Sequence, residues 1–233
     1  MKSYLLLLYR LATYNVKVIF GNKFIYFVVA AFLFFAFIIM ITIVDDEEFD
    51  DAVIYGFLVF PGLLLIFYPM AYGIQNDDDS KMLETIFGIP NYRYKVWLVR
   101  FILTIGVATV ILLILGNLAN LTLHRFSILP MIAQVLFPIT FLSSLAFMVS
   151  TLIKNGNGTA IVMVIVAFVF FVFAEPLRYS VYNVFLNPFS EPREMSEYIW
   201  MTIIYKNRIY LMILSVLCLL YGMFNLQFRE KFV

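Results

Sequence analysis

The chain has 233 residues, of which 64% are hydrophobic and only 13% charged. Soluble domains run at about 45–50% apolar and about 25% charged, so a water-soluble fold would leave apolar surface uncovered, and the wealth of aromatics excludes disorder. The net charge of +1 leaves no basic excess for nucleic acid, and a single Cys218 and a single His124 argue against disulfide frameworks, cysteine zinc sites and histidine-rich centres. What remains is an all-α membrane protein.

Residues 1–23 come first. Arg10 and Lys17 lie seven apart on one helical face, with Leu5, Leu8, Leu11 and Ala12 able to insert into a membrane surface. This segment reads either as an N-terminal amphipathic interfacial helix or as a basic tail obeying the positive-inside rule. Six runs free of Asp, Glu, Lys and Arg follow: Phe24–Val44, Ala52–Ile74, Phe101–Leu123, Phe126–Ile153, Thr159–Ala174 and Ile209–Phe228. A crossing helix needs about 20 such residues, so six spans are expected. The first ends at Val44-Asp45-Asp46 without a small-residue cleavage site, unlike a signal peptide. Pro130 and Pro138 are candidate kinks in the fourth, and Asn155-Gly156-Asn157-Gly158 reads as a tight turn on glycine.

Basic residues set the orientation. Eleven fall in residues 1–23, the 75–100 connection, Lys154 and the tail, against five on the other side, which also carries the acidic loop Asp45–Asp51. Both termini are therefore expected in the cytoplasm of a plasma (bacterial inner) membrane protein. The acidic loop lacks the glycine and spacing of a calcium site and reads as a solvated loop.

With no charge inside any run, a self-powered secondary carrier or a channel with a charged ring is disfavoured, and transport energy would come from a partner. The chain has no phosphate-binding loop of its own. Asn117, Asn120, Gln134, Ser143 and Ser144 are polar positions inside the runs. They suit helix–helix hydrogen bonding or, alternatively, a translocation path.

The connection between the second and third spans is the most informative stretch. Asp79 or Ser80 can cap a short helix, with the Asp77–Asp79 charges at its positive end and Gly88 and Pro90 stopping it. Met82, Leu83, Ile86 and Phe87 form one apolar face, leaving Lys81, Glu84 and Thr85 on the others. Two turns are marginal alone in water, so this helix lies on a membrane, its own bundle or another protein. A plain interfacial connector is one reading.

The stretch also resembles the cytoplasmic coupling helix of the type-2 class of ABC exporter permeases. There a charged lead-in and a Leu-Glu pair precede a proline and a basic residue, as with Leu83-Glu84, Pro90 and Arg93 here. The family's usual Gly-Thr pair is replaced by Lys81-Met82, and its mixed lead-in by three aspartates. The resemblance implies six spans, an N-terminal interfacial helix and two short re-entrant helices between spans five and six. Residues 175–208 suit the last feature: Tyr179–Leu186 is bracketed by Pro176 and Pro188, Asn187-Pro188-Phe189 resembles the family's Asn-Pro-Leu turn, and Met195–Ile204 is a second short piece.

The resemblance implies a transmembrane subunit, not itself an enzyme, that pairs in the lipid membrane with a second permease subunit, identical or paralogous. It has no cofactor on this chain; ATP and Mg would sit on a separate ATP-binding subunit. Lys81, Leu83, Glu84, Ile86, Phe87 and Arg93 would make the ATPase-coupling contact. The rivals are a lipid-modifying membrane enzyme, which would need a cluster of acids, histidine or metal ligands, and a non-transporting membrane scaffold.

Overall fold

The structure is a computed structural model that describes residues 24–44, 49–82, 86, 88 and 91–228. The expected interfacial helix at residues 1–23 lies outside them. Six helices follow one another: α1 Phe24–Val44, α2 Asp51–Asp79, α3 Val99–Thr122, α4 Ile128–Ile153, α5 Gly156–Ala174 and α6 Glu197–Asn225. Each is long and apolar enough to cross a membrane, consistent with a multi-pass membrane protein, and the described residues contain no strand.

Local chemistry explains most of the boundaries. Asp50 opens α2 by accepting the Val53 N–H at 2.7 Å, so the end of the acidic loop is a helix cap. Asn155 opens α5 in the same way, accepting the Gly158 N–H at 2.9 Å. The turn before it is made differently from the expectation: Lys154 takes the left-handed conformation at φ 62, while Gly156 is already the first residue of α5. Gly156 is needed for close approach instead. A Cβ there would meet Tyr72 Cδ1 at 2.3 Å. A π-helical turn, Arg93–Leu98, leads directly into α3.

α4 is the centre of the bundle, packed chiefly against α6 and α2, and α2 touches α1, α3 and α5 as well. Leu58 and Leu65 of α2, Leu112 and Leu115 of α3, and Ile139 of α4 are fully buried between these helices. Gly62 lets α2 close on α4, since a Cβ there would stand 2.2 Å from Ile139 Cδ1. α1 and α5 lie outside, with large side chains such as Leu33, Phe168 and Phe171 exposed.

Three expectations are corrected. α6 is one helix from Glu197 to Asn225, so the short piece Met195–Ile204 is not separate and the sixth element begins twelve residues before Ile209. The stretch Tyr179–Leu186, expected as a re-entrant helix, is a run of turns, because Asn183 and neighbouring polar groups satisfy its backbone one turn at a time. Asp77–Asp79 end α2 rather than open a following helix, with Ser80 as the closing residue. They sit at the negative end of the helix dipole, and only Asp77 is buried.

Candidate functional site: two polar clusters at opposite ends of the bundle

At the connector end, where α2 stops and α3 starts, Asp77 and Arg100 form a salt bridge with side chains only 7% and 16% exposed. The guanidinium lies over the Trp97 ring, 5.1 Å from its centroid. A small cavity beside it, about 30 Å³, has Asn76, Trp97, Arg100 and Thr104 in its wall. That is room for about one or two waters, and the buried Trp97 indole N–H has no acceptor among the described residues.

Ties radiate from this end across the bundle. Gln75 accepts the Gly156 N–H, and the Tyr72 hydroxyl donates to Asn157 at 2.9 Å, joining α2 to α5. The Tyr92 hydroxyl, just before the π-turn, donates to the Leu226 carbonyl at the end of α6. Asn225 donates to the Thr151 carbonyl of α4 at 2.6 Å.

Of the residues expected to couple to an ATPase, the structure describes Lys81, Ile86 and Arg93. Leu83, Glu84 and Phe87 lie outside the described residues. Lys81 is exposed and left-handed at φ 54, and Ile86 is buried at 4% exposure. Arg93 is the first residue of the π-turn.

The turn-rich end is held by α6. Arg208, 5% exposed, donates from Nε to Gln134 Oε1 at 2.7 Å, and its two amino groups reach Asn207 Oδ1 at 2.9 Å and the Leu186 carbonyl at 3.2 Å. It also stacks over Phe137, 5.5 Å from the ring centroid. No carboxylate pairs with it among the described residues. The Tyr55 hydroxyl stands beside the guanidinium, buried and without a good hydrogen-bond geometry. Asn207 donates to the carbonyls of Val181 and Asn183 at 2.7 and 2.8 Å. Trp200 donates to Pro188 and Asn187 to Ala52, so the turns at 175–196 are fastened to α6 and α2. A buried arginine therefore does lie inside the sixth helix, one residue before the apolar run that begins at Ile209.

The remaining polar positions do not gather at either cluster, apart from Gln134. Asn117, Ser143 and Ser144 each donate to the carbonyl four residues back in their own helix rather than to a facing one. Asn120 accepts the Phe126 N–H and closes the turn between α3 and α4. His124 approaches Asp51 at 3.5 Å, and Arg178 pairs with Glu175 at 3.6 Å, both well exposed. Among the described residues, no group of three or more His, Cys, Asp or Glu side chains is placed to hold a metal.

Sequence reasoning did not single out Asp77, Arg100, Asn207 or Arg208 as a working set. For Arg208 a signal was present: it and Lys206 are the only charges between Glu197 and Phe228. The arrangement as a whole offers chemistry of two kinds, mechanical linkage at the connector end and recognition of negative charge at the turn-rich end. No family model, curated protein or solved structure matches the chain.

Proposed function

We propose that this chain is the transmembrane subunit of an ATP-driven exporter, coupled to a separate ATP-binding subunit through residues 80–88. The observation that carries the reading is the Leu83-Glu84, Pro90, Arg93 pattern between the second and third of six apolar helices. The linkages around that connection support it. Asp77–Arg100 joins its two flanks, and Tyr92–Leu226 joins it to the far end of α6. A force applied at the connector would thus reach α2, α3 and α6 together, as a rigid-body transmission requires. On this reading Leu83 and Phe87 anchor by burial in the partner, while Glu84 and Arg93 fix the docking by polar contact.

The test is purification of the tagged chain from native membranes in mild detergent, with mass spectrometry and an ATPase assay. A stoichiometric phosphate-loop ATPase is expected to accompany it. Glu84→Arg is expected to lower substrate-dependent ATP hydrolysis while membrane insertion, read by fractionation, stays unchanged. A clean preparation with no such partner, or full coupling in the variant, defeats the proposal.

A further inference from the structure

A groove of about 720 Å³ runs along the outside of the bundle between α4 and α6. Gln134 and Arg208 stand in its wall, and Phe137, Ile209, Met212 and Ile213 line it with apolar surface. Phe137 and Met212 also line a second hollow of about 160 Å³ that has Thr140 and Ser215 in its wall. The groove is mostly apolar and has one cation at one point.

The height of that cation matters. Seventeen residues separate Arg208 from Asn225 at the connector end, roughly 26 Å of helix at 1.5 Å per residue. A bilayer's hydrocarbon layer is about 30 Å thick. With Asn225 near one boundary of that layer, Arg208 lies near the other, at the level of lipid headgroups. Ile209, Met212 and Ile213 then run from it towards the middle of the membrane. All three are about half exposed, at 42%, 56% and 55%.

Among the described residues the guanidinium is held by two amide oxygens and a carbonyl and by no carboxylate, and burying such a charge without an anion is costly. A phosphate at headgroup height would supply the anion, and a guanidinium binds it through paired N–H groups. We propose that the α4–α6 groove is a binding site for an anionic phospholipid of the leaflet nearest the turn-rich end. Its phosphate lies at Arg208 and one acyl chain lies along Phe137, Ile209 and Met212. The site is independent of the exporter reading and needs no ATPase.

The experiment uses the full chain purified in mild detergent, incubated with an equal mixture of phosphatidylglycerol and phosphatidylcholine and read by native mass spectrometry. The unaltered chain is expected to retain phosphatidylglycerol over phosphatidylcholine by about tenfold, a modest increment on the affinity scale. Arg208→Gln is expected to retain the two equally. Met212→Trp, which fills the groove but leaves the Arg208 contacts alone, is expected to lose both. Should Arg208→Gln fail to fold, the unaltered chain and Met212→Trp decide the matter between them. Equal retention by the unaltered chain overturns the proposal, as does undiminished phosphatidylglycerol in Met212→Trp. So does a disulfide between two copies of Met212→Cys at high yield, which would show a second chain in the groove.

Discussion

At the connector end the half-buried Arg100 meets the buried carboxylate of Asp77, whereas at the turn-rich end the buried Arg208 meets, among the described residues, only neutral oxygens. Both clusters are built round the same kind of cation, so the difference points to what the counter-charge does. Asp77 and Arg100 lie on neighbouring helices and close a short connection, which makes their pair a lock between two backbone segments. Arg208 instead gathers three oxygens from α4, α6 and the turns at 175–196. It organises a loop.

The contrast can be broken most severely at the connector end. Asp77→Asn leaves Arg100 buried without its anion and is expected to cost about 3–5 kcal/mol, read as loss of folded protein in a detergent unfolding titration. Replacing both partners, Asp77→Leu with Arg100→Met, is expected to recover most of that loss. If the single change costs no more than the double, the pair is not the lock described. Next in size is Arg208→Gln. It strands neutral acceptors but no charge, so about 2–3 kcal/mol is expected, with faster hydrogen exchange concentrated at residues 181–187. A larger cost than Asp77→Asn would mean that the two cations are not held in the different ways argued above. The smallest effect sharpens the picture of the connector end. Asp78 is exposed at the negative end of the α2 dipole, so Asp78→Lys is expected to stabilise by about 0.3–1 kcal/mol, visible as a higher melting temperature that fades with added salt.

How much of this was legible in the sequence depends on whether charge marks the water boundary. Lys23 and Asp45 do mark it, and α1 spans the residues between them as expected. Ala174 and Ile153 end their helices where the apolar runs stop before Glu175 and Lys154. The rule fails for α6, because Arg208 interrupts the run without leaving the protein; its partners lie 74 and 22 residues away and leave no local trace. It fails for α2 in the same way, since the helix continues past Ile74 to Asp79 and buries Asp77 against Arg100, 23 residues on. The buried hydroxyls of Ser143 and Ser144 show the opposite case. Their bonds run four residues back along the same helix, so no distant partner is needed to bury them.

The position of α6 in the chain has a consequence for biosynthesis. Five helices emerge before it, and until it arrives the Tyr92 hydroxyl lacks the Leu226 carbonyl and the turns at 175–196 lack Asn207, Arg208 and Trp200. The connector end can already hold its Asp77–Arg100, Gln75–Gly156 and Tyr72–Asn157 ties before α6 arrives, whereas the turns at 175–196 then have Asn187 fastened to Ala52 but lack their anchors on α6. An insertion intermediate halted before Glu197 would carry those turns only partly secured. Quality-control proteases reading exposed loops would find the unfinished chain easiest to recognise at the turn-rich end.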